Sequence, residues 1–152
     1  MSLAVQAPLA GTVVPLGLVP DPVFSAGLLG PGTALDPRRD AGGQVVVRAP
    51  VAGTVTKLHP HAFVVMTRER SILVHLGLDT VTLEGRGFTT RTQEGAGVDA
   101  GAPMVSWSPA AVEAAGLNPL LVLIALDGAQ EDLALSAEGT VLEAGETAFT
   151  WG

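Results

Sequence analysis

Residues 61–77 read His61-Ala62-Phe63-Val64-Val65-Met66, then Thr67-Arg68-Glu69-Arg70-Ser71, then Ile72-Leu73-Val74-His75-Leu76-Gly77. Two apolar, β-branched runs flank a charged tip, and a glycine follows the second. This is the pattern of a β-hairpin. A loop of odd length centred on Arg68 sets His61 opposite His75, with side chains roughly 4.5–5.5 Å apart at Cβ. A loop of even length puts them on opposite faces. The expectation of a His61–His75 pair rests on the odd loop.

Outward from this hairpin the period stays short. Val45–Val47, Ala62–Met66, Ile72–Leu76, Met104–Trp107 and Leu120–Leu126 read as strands between turns rich in Gly, Pro and Asp. One helix is expected, with Ser108 as its N-cap, Pro109 in its first turn and Gly116 as its stop. The phrase Ala7-Pro8-Leu9-Ala10-Gly11-Thr12-Val13 recurs 42 residues later as Ala49-Pro50-Val51-Ala52-Gly53-Thr54-Val55, with a fainter echo at residues 136–141. The expected fold is therefore all-β: an antiparallel sandwich or flattened barrel with pseudo-repeated β motifs and one or two short helical turns.

Composition bounds the function. The chain has 152 residues, which makes a single domain over 1–152 the expectation. Hydrophobic residues make up 47% and charged ones 15%, enough apolar material for a core and too little charge for disorder. Net charge is −7, the wrong sign for nucleic acid and the right one for a basic protein partner. Cysteine is absent, which removes disulfides, thiolate metal sites and a cysteine nucleophile. Prolines and glycines interrupt the apolar opening, and no basic signal region precedes it, so a cytoplasmic protein without membrane insertion is expected.

There are three histidines, His59, His61 and His75. Two facing imidazoles on an apolar hairpin must be solvated, bridged by a metal or used in chemistry. They suit phosphoryl transfer through a phosphohistidine: one neutral ring nitrogen attacks phosphorus while the other ring donates a hydrogen bond to the transferred oxygens. The same pair, His61 and His75, could hold Zn²⁺. His59-Pro60-His61 and His75-Leu76-Gly77-Leu78-Asp79 also contain the H-x-H and H-x-x-x-D patterns of lysostaphin-type zinc peptidases, but in reversed order. Such a zinc-dependent hydrolase is the competing enzyme reading.

Val74-His75-Leu76-Gly77-Leu78-Asp79-Thr80-Val81 together with His61-Ala62-Phe63 resembles the signature of the glucose-type IIA domain of the bacterial phosphoenolpyruvate:sugar phosphotransferase system. Further matches include Val19-Pro20-Asp21-Pro22-Val23-Phe24, Gly30-Pro31-Gly32, Leu83-Glu84-Gly85-Arg86-Gly87-Phe88 and Gly145-Glu146-Thr147. The resemblance implies an antiparallel β-sandwich and no required cofactor. It implies that His75 accepts a phosphoryl group from HPr and passes it to a IIB cysteine, with His61 stabilising it. It implies a docking face from Phe24 and Phe63 with an acidic rim of Asp21 and Asp79. In some bacteria the same face regulates permeases or kinases, so a purely regulatory binding module is a third reading. One departure concerns the site: His59-Pro60 stand where the family usually has Thr and Asn. His59 either substitutes for the threonine that supports hydrogen bonding there or stands in solvent. The hairpin tip also lacks the usual glycine and is one residue shorter.

Overall fold

The computed structural model describes residues 2–39 and 43–152. Its strands are β1 (Leu3–Gln6), β2 (Gly11–Pro15), β3 (Gly32–Pro37), β4 (Val45–Arg48), β5 (Gly53–His59), β6 (Ala62–Thr67) and β7 (Arg70–Leu76). They continue as β8 (Thr89–Thr90), β9 (Gly97–Val98), β10 (Pro103–Trp107), β11 (Leu121–Ala125), β12 (Leu133–Leu135), β13 (Val141–Leu142) and β14 (Thr147–Trp151). Two short helices, α1 (Pro22–Ser25) and α2 (Pro109–Ala114), interrupt them. The expected all-β antiparallel fold is what forms, and each expected strand overlaps an observed one. The expected helix is α2: the Ser108 hydroxyl accepts from the Ala111 N–H, Pro109 opens the first turn and Gly116 (φ +86°) follows its end.

The strands build an eight-stranded sheet in the order β13-β2-β3-β11-β7-β6-β5-β9 and two three-stranded sheets, β1-β14-β12 and β4-β10-β8. The main core includes the fully buried Trp107, Phe63, Phe149 and Met104. A smaller apolar cluster of Val19, Phe24, Ala34, Leu78, Leu120, Val122 and Ile124 also packs. β7 lies at the centre of the large sheet, between β11 and β6. Strand alternation sends Ile72, Val74 and Leu76 into the main core with no exposure. Leu73 and His75 therefore point to the other face, where Leu73 packs on the smaller cluster.

The repeated phrase marks a pseudo-twofold frame. Ala7 bonds to Glu146 and Gly145 as Ala49 does to Ala102 and Gly101, and Val13 to Thr140 and Gly139 as Val55 does to Ala96 and Gly95. β1 pairs with β14 from Leu3↔Trp151 as β4 pairs with β10 from Val45↔Trp107. The two halves interlock through Gln6 N–H to the Pro50 carbonyl and Arg48 N–H to the Pro8 carbonyl, each 2.9 Å. In the large sheet Gly32 faces Ile124 in one half where Ala62 faces His75 in the other. His75 thus occupies the position that Ile124 holds in the copy.

The repeat glycines explain why the phrase is kept. A Cβ on Gly11 would lie 2.6 Å from the Asp36 carbonyl oxygen, and one on Gly53 would lie 2.2 Å from that of Met66. Both open a strand that runs against its neighbour too closely for a side chain. Gly53→Ala should lower stability by about 3 kcal/mol, whereas Gly17→Ala, with open space around it, should stay within about 0.5 kcal/mol of the parent. Denaturant unfolding of the two variants checks this; equal stabilities would refute the steric account.

Candidate functional site

The site is built by the end of β7 and the turn between β5 and β6. The hairpin register differs from expectation. Thr67 pairs with Arg70 and Ala62 with His75, so the tip is the two-residue loop Arg68-Glu69, with Arg68 left-handed at φ +56°. The loop is even, and His61 is not the cross-strand partner of His75. The rings still meet, with centroids 5.3 Å apart and planes at 76°. The reason is that His61 lies outside the ladder. It is the second residue of the Pro60-His61 turn between β5 and β6, whose last pair is His59↔Ala62. Strand alternation does not constrain a side chain in that turn. Its carbonyl still accepts the Leu76 N–H at 2.7 Å, which ties the turn to the end of β7. β5 carries a register shift between Val55 and Lys57 that its copy β2 lacks.

His75 is oriented by one short bond. Its Nδ1 lies 2.7 Å from the Gly77 carbonyl oxygen. A carbonyl can only accept, so Nδ1 carries the proton and the lone pair of the neutral ring stays on Nε2. Gly77 turns the chain at φ +78°, where an added Cβ would come within 2.6 Å of Thr80 Cγ2 and 3.0 Å of the Asn118 carbonyl oxygen. The turn is pinned on both sides: Gly77 N–H donates to Leu120, Leu78 N–H to Asn118, and the buried Thr80 hydroxyl to Leu76 at 2.6 Å. Phe24 sets an edge-on ring against His75 at 5.1 Å.

Burial is the first influence on both rings. It holds His75 below the ordinary 6.5, against the opposing pull of the Gly77 hydrogen bond and then the charges of Asp21 and Asp79. His61 is also lowered, first by burial, then by the neighbouring His75 and His59. Both rings are therefore neutral at neutral pH, and Nε2 of His75 is available to attack an electrophile.

The remaining expected residues separate. Asp21 caps α1, its Oδ1 accepting the Val23 N–H at 3.0 Å, while its charge reaches His75. Asp79 stands exposed in a left-handed conformation (φ +59°), and its carbonyl accepts from Thr82, so it shapes the turn and also bears on His75. Phe24 is only 5% exposed and walls the site. Phe63 departs from expectation: it pairs with Val74, faces the main core and has no exposure, so it cannot line a docking face. The exposed apolar side chains on the segments around His75 are instead Leu18, Val23 and Val81. No periodicity marks them, because Val23 lies in the four-residue α1 and Leu18 and Val81 in 3-10 turns of three and four residues (Leu16–Leu18 and Thr80–Leu83), too short to repeat a pattern. His59 is exposed, yet its ring stacks on His61 at 5.8 Å and 27°. Among the described residues no group of three or more His, Cys, Asp or Glu is placed to hold a metal ion.

Asp21→Asn separates charge from capping, because asparagine caps as well as aspartate. The variant should keep its thermal stability while the His75 titration midpoint, read by NMR, falls further below 6.5. An unmoved midpoint would mean that the carboxylate does not act on the ring.

Comparison with known proteins agrees with this geometry. Residues 3–130 match the family model described as phosphoenolpyruvate-dependent sugar phosphotransferase system, EIIA 1. The glucose-specific EIIA component of Halalkalibacterium halodurans is 35% identical over 148 residues, covering 95% of this chain and 83% of that protein. That of Oceanobacillus iheyensis is 37% identical over 126 residues, covering 79% and 73%. The glucose-specific EIIBCA component of Corynebacterium glutamicum is 38% identical over 130 residues, covering 84% of this chain but only 18% of that much longer protein. The solved glucose permease IIA from Mycoplasma capricolum superposes with a TM-score of 0.82 at 29% identity, covering 99% of this chain and 96% of that one. With two histidine rings meeting beside the end of a central strand and a family match over most of its length, the chain belongs to the EIIA type 1 family of the phosphoenolpyruvate-dependent sugar phosphotransferase system.

Proposed function

We propose that residues 1–152 act as one IIA unit that carries phosphoryl groups in a sugar phosphotransferase system, with His75 as acceptor and His61 as its partner. The observation that carries this reading is the 2.7 Å contact between His75 Nδ1 and the Gly77 carbonyl, which leaves Nε2 as the free nucleophilic nitrogen beside His61. Nε2 attacks the phosphorus of a phosphohistidine on HPr, forming a new P–N bond as the bond to the donor imidazole breaks. The group then passes to a cysteine thiolate of a IIB domain, which this cysteine-free chain must find elsewhere. Relatives in which EIIA is joined to B and C components support that acceptor.

His61 donates its N–H to the phosphoryl oxygens. Before transfer, His75 beside it disfavours a charge on His61. A phosphoryl group on Nε2 reverses the sign of that neighbour, so His61 binds a proton more readily when the group needs a cation. The exposed Leu18, Val23 and Val81 near Asp21 and Asp79 suit weak docking of a basic partner with an apolar patch. The same surface would serve regulated permeases or kinases.

The zinc readings are less well supported. His61 and His75 would supply two imidazoles, but among the described residues no group of three or more His, Cys, Asp or Glu is placed to hold the ion.

Histidine replacement tests the two roles. His75→Gln should take no phosphoryl group from phospho-HPr, as read by intact mass. His61→Gln should accept it and then transfer it to IIB about 100-fold more slowly. Phosphate found on His75→Gln at the parent level would end the assignment.

A further inference from the structure

The three imidazoles stand in a row. His61 meets His75 edge-on at 5.3 Å and has His59 stacked across from it at 5.8 Å with planes 27° apart. These separations fall in the range of interacting aromatic pairs, about 4.5–7 Å. Among the described residues no hydrogen bond holds the His61 ring, so its neighbours are rings rather than a hydroxyl. His61 sits in a two-residue turn where the strand ladder does not fix its side chain. His59 is better anchored: it is the last residue of β5, paired with Ala62, and it precedes Pro60, which favours an extended backbone.

We infer that His59 is a positioning residue for the phosphoryl site: its backbone is held at the strand end, and its ring packs on His61 and holds that ring toward His75. This deepens the proposed function and rests on it for the transfer readout. His59 does not touch the reacting atoms. It acts through His61, supplying orientation by ring contact. As a titratable ring it also couples charge: a protonated His59 disfavours a second cation on His61, and the burial of His61 acts in the same direction. The other charged groups around the turn come from four segments. Asp21 lies on the α1 side and Asp79 follows β7, both acting on His75. Glu84 and Arg86 flank Gly85, which packs against Pro60, and the Glu94 carboxylate accepts the Leu58 N–H at 3.0 Å.

Two replacements separate packing from charge. His59→Ala removes the ring, and His59→Phe keeps a flat ring without titratable nitrogens. His59→Ala should move the ring resonances of His61 in the unphosphorylated protein. It should slow transfer to IIB about fivefold while acceptance from phospho-HPr stays within about twofold. His59→Phe should restore transfer to within about twofold of the parent, yet raise the His61 titration midpoint, because the neighbouring cation is gone. The inference is overturned if His59→Ala leaves the His61 resonances or the onward rate unchanged, or if His59→Phe is as slow as His59→Ala. A parent protein that takes no phosphoryl group from phospho-HPr would refute the proposed function instead. The His61 resonances would still decide whether His59 positions the ring.

Discussion

The hydrogen bond from His75 Nδ1 to the Gly77 carbonyl is the constraint on which the site depends. It joins a ring to a backbone atom only two residues away, so the carbonyl must turn back toward its own strand. That requires the left-handed glycine, and the glycine requires its surroundings: a Cβ there would strike Thr80 and Asn118. The Thr80 hydroxyl and the Leu120 and Asn118 carbonyls hold the turn in place. A single proton position on one imidazole is thus fixed by four other residues, Gly77, Thr80, Asn118 and Leu120, and preorganisation of this kind costs nothing when reaction begins.

The sheet supplies the second half of the design. Alternation along β7 buries Val74 and Leu76 completely and turns His75 to the opposite face, beside the smaller cluster. The main core can then be packed tightly without reference to chemistry. The small cluster, with Phe24 and Val122, walls the ring enough to disfavour its cation while leaving it half-buried and within reach of a protein partner. Neutrality and accessibility, which usually oppose each other, are both met at one strand end.

Much of this was legible in the sequence because the hairpin pattern, the repeated Gly-Thr-Val phrase and the Ser108–Pro109 cap are local signals with local causes. His75 was singled out by the resemblance carried by residues 74–81 as well as by the hairpin, and its bond to the Gly77 carbonyl was not anticipated. The pairing of His61 with His75 was reached by a mistaken register: the tip has two residues, and the rings meet because His61 sits in a turn. Phe63 was placed on the docking face by the resemblance alone, whereas the β6–β7 register sends it inward opposite Val74. His59 was left open because stacking between residues two apart depends on the turn that separates them. Leu18, Val23 and Val81 carry no periodic signal at all.

The pseudo-twofold frame has a consequence for how such a site can arise. Two identical short chains could build the same interlocked sheets, since the bonds joining the halves come in matched pairs. Such an assembly would be obliged to place the same side chain at both ends of its central strands. A single continuous chain carries no such obligation, and here one end has His75 while its counterpart is the fully buried Ile124. Joining the copies lets one end carry an imidazole as the other becomes ballast, so the molecule's asymmetry resides in a few side chains and one strand irregularity laid over a nearly symmetric backbone.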